Sequence, residues 1–172
     1  MASQCCVGMM RGCTNLSTVP NKLPAMRMEY QCYTSMFYKC ISLTQAPELP
    51  ATTLDESCYS TMFYGCSGLT QAPELPATIL AESCYSTMFR GCTKLTTAPE
   101  LPAITLVSSC YQNMFYNCKK INYIKTYFTS WLDDATSNWL YNVASTGTFI
   151  CPSTLDTKQS GASYIPEGWL TA

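Results

Sequence analysis

The chain contains no histidine, which removes the commonest general base, the His-dependent triads and dyads, and every His-containing metal site. Charge is scarce too. Only 12% of residues are Asp, Glu, Lys or Arg, about half the usual share. Lys+Arg 10 against Asp+Glu 11 leaves a net charge of −1, so neither sign is in excess and no nucleic-acid partner is expected. No apolar run approaches the roughly 18 residues of a membrane span, and no direct membrane insertion is expected. The opening Met1-Ala2-Ser3-Gln4-Cys5-Cys6 lacks the basic start and apolar stretch of a secretion signal. What is present suffices for a core: 172 residues, the length of one ordinary domain, of which 47% are apolar.

Twelve cysteines carry the order of the chain. The unit Cys32-Tyr33-Thr34-Ser35-Met36-Phe37-Tyr38-Lys39-Cys40 recurs from Cys58 to Cys66, from Cys84 to Cys92 and from Cys110 to Cys118, at intervals of 26 residues. After the second cysteine comes Leu-Thr-Gln-Ala-Pro-Glu-Leu-Pro-Ala at Leu43 and again at Leu69, and Leu-Thr-Thr-Ala-Pro-Glu-Leu-Pro-Ala at Leu95. A worn first copy runs from Cys5 through Met10 and Cys13 to Pro24, with one extra residue before Leu23. A period of this size marks a solenoid, in which each unit is too small to bury its apolar face alone and stacks on its neighbours.

Between its two cysteines each unit reads as a short helix. At about 100° per residue, Cys58, Tyr59, Met62, Phe63 and Cys66 share one face, while Ser60 and Tyr64 point away. Gly65 suits a helix end. The segment from Leu69 to Pro76 contains Pro73 and Pro76, which neither donate to a ladder nor continue a helix. It reads as a short strand and an extended turn, with Leu69, Ala72 and Leu75 inward and Thr70, Gln71 and Glu74 toward solvent. The expected fold is therefore an α/β repeat solenoid, a right-handed coil of short strand plus short helix per 26-residue repeat over residues 1–128. Residues 129–172 read as a C-terminal cap. It comprises a helix from Ser130 to Val143 with Asp133 and Asp134 near its start, a strand over 147–151 and a polar loop over 156–164. Trp131, Trp139 and Trp169 are expected to plug the open end.

The cysteines admit two readings. Eight residues of helix separate the pair in one unit by about 12 Å, beyond the roughly 7 Å that a disulfide tolerates, so bridges within a unit are excluded. Buried thiols behaving as small apolar side chains and bridges between equivalent cysteines of neighbouring units both fit. The first is favoured, because a uniform ladder gives no cysteine a unique partner. Zinc would want closely spaced Cys clusters, so no metal or other cofactor is expected. A catalytic thiol lacks its base, and any reactive thiol falls at Cys5, Cys6 or Cys151, outside the regular ladder.

Two surfaces are candidates for binding. Glu48, Glu74 and Glu100 recur at one position and should form a column of carboxylates, either a site for cations or a basic partner or a solvated edge. With Thr44, Gln45, Thr70, Gln71, Thr96 and Thr97 they make up the exposed strand face, the usual place for a partner in a solenoid. The second surface is a convex stripe of Arg11, Tyr38, Tyr64, Arg90 and Tyr116, residue types that make hot spots; the alternative is a lid of rings lying over neighbouring units. The column Tyr33, Tyr59, Tyr85 and Tyr111 belongs to the core side, with its hydroxyls expected near the rim.

The run Met62-Phe63-Tyr64-Gly65-Cys66-Ser67-Gly68-Leu69-Thr70, with copies from Met36, Met88 and Met114, resembles the aromatic-x-Gly-Cys-x-x-Leu signature of BspA-type leucine-rich repeats. The Ala-Pro-Glu-Leu-Pro-Ala run is similar to the longer variant of that repeat in surface proteins of Bacteroides and related gut bacteria. The resemblance covers roughly residues 5 to 128, and Trp139 to Val143 with Ile165 to Trp169 is similar to the segment that closes such arrays. Departures lie in the first copy, where Met10 replaces Phe, and the last, where Ile124-Lys125-Thr126-Tyr127 replaces the Ala-Pro-Glu-Leu turn. The resemblance implies a leucine-rich-repeat-like fold and an extracellular or cell-surface protein without enzymatic activity. Such a protein would serve adhesion by binding a protein or glycan on a host or neighbouring cell. The alternative is a structural spacer within a larger surface or phage-fibre protein.

Overall fold

The nine residues from Cys58 to Cys66 contain Ser, Thr, Cys, Tyr and Phe but no Ala, Leu, Glu or Lys, a composition with little intrinsic drive toward helix. In the computed structural model, which describes residues 2–172, they form a ribbon of overlapping turns. No α-helix occurs among the described residues. The helix expected in every repeat, and the one expected from Ser130 to Val143, are therefore both replaced, and the chain is not an α/β solenoid.

The backbone hydrogen bonds explain the ribbon. Every second N–H bonds to the carbonyl three residues back: Ser60 to Ser57, Met62 to Tyr59, Tyr64 to Thr61 and Cys66 to Phe63, at 3.0–3.2 Å. The N–H groups between them cross to the next coil: Tyr59 to Cys84, Thr61 to Ser86, Phe63 to Met88 and Gly65 to Arg90, at 2.7–3.0 Å. This alternation needs a left-handed residue at every fourth position. Ser57, Thr61 and Gly65 have φ of 55°, 55° and 69°, Ser83, Thr87 and Gly91 have 54°, 61° and 76°, and Ser109, Asn113 and Asn117 have 53°, 53° and 63°. Each is the third residue of a turn closed by a three-back bond, where a type II turn demands positive φ.

The core follows the sequence pattern although the helix does not. Cys58, Tyr59, Met62, Phe63 and Cys66 are buried, as are their equivalents in the adjacent repeats. Positions one, two, five, six and nine have a period of four, which over nine residues coincides with the 3.6 of a helix. Stacking turns them into columns. Phe37, Phe63, Phe89 and Phe115 lie 5.5–5.7 Å apart between ring centroids, and Tyr33, Tyr59, Tyr85 and Tyr111 lie 5.8–6.2 Å apart. The hydroxyls of Tyr59 and Tyr85 are not at the rim: they are buried with no hydrogen-bond partner among the described residues.

The proline segments make isolated parallel bridges, Lys22 with Glu48 and Gln45 with Gln71, rather than the expected strand in each repeat. Pro47, Pro50, Pro73, Pro76, Pro99 and Pro102 each remove a ladder donor. Strands begin where the prolines stop. Leu101 bridges Thr126, so Ile124 takes the place of Pro99. There β1 (Tyr123–Lys125) pairs in parallel with β2 (Gly147–Ile150), which pairs in parallel with β3 (Trp169–Thr171). The expected strand at 147–151 is thus present. The turn ribbon also continues past Cys118: Tyr111, Asn113, Phe115 and Asn117 donate to Ala135, Ser137, Trp139 and Tyr141 at 2.8–2.9 Å. Trp139 is fully buried and stacks on Tyr111 at 6.3 Å, Trp169 is buried and Trp131 is half-buried. Each indole N–H donates to a carbonyl in a neighbouring coil: Trp131 to Asp156, Trp139 to Tyr164 and Trp169 to Ala144, at 2.8–3.0 Å.

No disulfide joins the cysteines among the described residues. Instead, the thiols of Cys66, Cys92 and Cys118 donate to the carbonyls of Phe37, Phe63 and Phe89 at 2.9–3.2 Å, linking each coil to the one before it.

Tyr85→Phe is expected to raise unfolding free energy by about 1 kcal/mol, because it removes a buried hydroxyl that has no partner. Denaturant titration of the purified variant checks this; a loss of similar size would mean that the hydroxyl is satisfied. Burial pushes the thiols of Cys58, Cys66 and Cys118 up to about 12 and that of Cys110 to about 11, from an ordinary value of 9.0. The folded chain thus keeps protons that the unfolded chain releases, a contribution fully present below pH 9 and lost as pH rises through the folded values, with a slope of about 1.4 kcal/mol per pH unit for each thiol. The urea midpoint is expected to fall steeply between pH 9 and pH 11. A midpoint that holds steady over that range would show the thiols to be exposed or oxidised.

Candidate functional site

On the proline side of the stack, each Pro-Glu-Leu-Pro segment has a fixed course because proline locks φ near about −65°. Leucine turns inward and glutamate outward: Leu49 and Leu75 are buried, while Glu48, Glu74 and Glu100 are exposed. The carboxylates do form a column, but a lysine stands at each end of it. Lys22 lies 3.8 Å from Glu48, and Lys125 lies 2.9 Å from Glu100. Tyr127 donates its hydroxyl to the second oxygen of Glu100 at 3.0 Å. Hydrogen bonds from Lys125 and Tyr127 hold the Glu100 carboxyl below its usual range, and those with Tyr127 and Glu100 push the Lys125 ammonium above its own. Such exposed pairs stabilise little, but they leave Glu74 as the one carboxylate of the column without an ion-pair partner among the described residues.

Beside this column runs an open groove of about 890 Å³. Its walls are Pro20, Pro50, Pro73 and Pro76, and its polar lining combines Thr44, Gln45, Glu48, Gln71 and Glu74 with Ser17, Thr18 and Asn21. Five of the nine residues expected on the strand face are thus brought together from two coils, beside Ser17, Thr18 and Asn21 of the first. Thr70, Thr96, Thr97 and Glu100 are exposed but lie outside the groove. Thr70 instead donates to the Thr44 carbonyl at 3.1 Å. Ser17 and Thr18 were missed, although the worn first copy carries them where later units have Thr-Gln, 27 residues before Thr44 and Gln45.

The convex stripe is a continuous ladder. The Arg11 guanidinium lies 4.4 Å from the Tyr38 ring, Tyr38 stacks on Tyr64 at 4.7 Å, and Arg90 sits 5.8 Å from Tyr64 and 4.1 Å from Tyr116. Tyr141 extends it, stacked on Tyr116 at 4.6 Å. This sixth member was not anticipated, since it lies in the region read as a cap; its signal was the step of 25 residues from Tyr116. The faces of these rings are taken up by one another and by cations, each such contact worth about 0.5–1 kcal/mol where exposed. Edges and hydroxyls remain for a partner.

Outside the ladder, neither Cys5 nor Cys151 has the low pKa of a nucleophile. Burial raises Cys151, and burial with hydrogen bonding to Cys32, whose sulfur lies 3.0 Å away, pushes Cys5 up to about 12. Among the described residues, no group of three His, Cys, Asp or Glu side chains could hold a metal ion, and no helix is long and apolar enough to cross a membrane. No protein family, curated protein or solved structure matches the chain, so its likeness to BspA-type repeats rests on sequence motifs alone.

Proposed function

We propose that the chain is a non-enzymatic interaction module that binds a protein or glycan through the proline-walled groove. The observation that carries this reading is the groove itself, which sets hydroxyl, amide and carboxylate groups of three successive coils along one open channel. These groups donate to and accept from sugar hydroxyls or an extended peptide backbone, and they recur with the coil, which suits a ligand that is itself linear. The rigid proline walls reduce the ordering cost of binding. The motif likeness to bacterial surface repeats supports an extracellular, adhesive setting. A structural spacer is the second reading, favoured by the Arg–Tyr ladder, whose ring faces are spent on contacts between coils.

The test is a glycan and extracellular-matrix protein array probed with the folded chain beside the triple variant Glu48→Gln, Glu74→Gln, Glu100→Gln and the double variant Gln45→Ala, Gln71→Ala. Selective capture that weakens at least about tenfold in either variant, roughly 1.4 kcal/mol, is the expected result. Capture unchanged in both would move the site off the groove, and silence on every ligand would favour the spacer.

A further inference from the structure

The charged side chains outside the groove are sorted by sign along the turn ribbon. Just before the first buried position of the ribbons that open at Cys32, Cys58, Cys84 and Ala135 stand Glu29, Asp55, Glu56, Glu82, Asp133 and Asp134, six of the chain's eleven acidic residues with no basic residue among them. From the last turn onward stand Arg11, Lys39, Arg90, Lys94, Lys119 and Lys120, six of its ten basic residues with no acidic one. Because the ribbons stack in register, the two sets become two rims, one acidic and one basic, at opposite ends of the ribbon. All twelve positions lie outside the groove; nine are exposed, and Glu29, Asp55 and Arg90 are half-buried. None of the twelve forms an ion pair among the described residues. A chain of net charge −1 therefore carries two opposed stripes without ion-pair partners, although Asp133 and Asp134 accept from the hydroxyls of Tyr164 and Ser108 and Arg11, Lys39 and Arg90 lie over tyrosine rings.

We infer that the acidic rim of one copy docks on the basic rim of another, so that copies associate side by side. This goes beyond the groove-binding reading and does not rest on it. The two rims share one step, about 4.8 Å between parallel neighbours, so the acidic positions of one copy can be set coil against coil with the basic positions of another. A stagger of one coil sets Glu29 against Arg11, Asp55 and Glu56 against Lys39, and Asp133 and Asp134 against Lys119 and Lys120, while Glu82 faces a coil without a base and Arg90 and Lys94 a coil without an acid. The Arg–Tyr ladder holds the Arg11 guanidinium 4.4 Å from the Tyr38 ring, which lowers the entropy lost when it pairs with Glu29. The contact joins two different patches, so it is heterologous and each copy keeps a free rim at either side. Growth is open-ended and weakens with salt.

Sedimentation velocity of the whole chain at high micromolar concentration, in about 20 mM and about 0.5 M salt, tests this. Association at low salt that disappears at high salt is expected. Lys119→Glu with Lys120→Glu, and separately Asp133→Lys with Asp134→Lys, should each weaken it at least tenfold, and an equimolar mixture of the two variants should restore it. A circular dichroism spectrum and thermal midpoint like the parent's confirm that both are folded. A wild type that stays monomeric at low salt overturns the proposal, as does association that survives both reversals. Retention of a monomeric wild type on immobilised heparin, lost in the lysine variant, would overturn it in favour of a polyanionic ligand on the basic rim.

Discussion

The structure depends on one backbone constraint: a left-handed residue at every fourth position of the turn ribbon. In a helix every N–H is satisfied within its own segment. Here the periodic reversal of φ turns alternate N–H groups out of the ribbon, and they find carbonyls in the next coil. The same bonds that satisfy the backbone thus join the repeats. A single ribbon is left with half of its donors unmet, so neighbouring coils are required for electrostatic reasons as well as hydrophobic ones.

Everything inside is a consequence of that register. Identical side chains fall above one another, which gives columns of Phe and Tyr rings at near-parallel stacking and rows of thiols pointing at carbonyls of the previous coil. Cysteine suits this place because it is small, apolar and able to donate weakly. Tyrosine suits it less well. The two central hydroxyls are buried without partners, so the column retains the ring's stacking at the expense of its polar end. On the outside the same register sorts charge, producing a Glu column closed by Lys22 and Lys125 and two rims of opposite sign.

The repeat, its period and the buried set were legible from residues alone, since Cys58, Tyr59, Met62, Phe63 and Cys66 proved to be core. The helix was not, because a period of four and one of 3.6 coincide over nine residues. The clue lay in the positions between. Ser57, Thr61 and Gly65 in one unit, and Ser109, Asn113 and Asn117 in another, put turn formers at every fourth place, where a helix would more often carry Ala, Glu or Lys. In the proline segments Leu69 and Leu75 lie inward and Thr70, Gln71 and Glu74 outward as read, but Ala72 is half-buried and lines the groove, and the bridges are too sparse for a strand. Of the candidate surfaces, the groove gathered Thr44, Gln45, Glu48, Gln71 and Glu74 as a set. The mutual stacking in the Arg–Tyr stripe depends on side-chain rotamers, which spacing alone does not determine.

The most direct test compares Thr87→Gly with Thr87→Ala by denaturant titration. Both lose the hydroxyl and the methyl, so their difference isolates the backbone at a residue with φ of 61°. A left-handed turn predicts that the glycine variant is the more stable by about 1 kcal/mol or more, since alanine has a Cβ to strain there. A helix predicts the reverse by about 1 kcal/mol, and that sign would contradict the alternating ribbon and the coil-to-coil hydrogen bonding that follows from it.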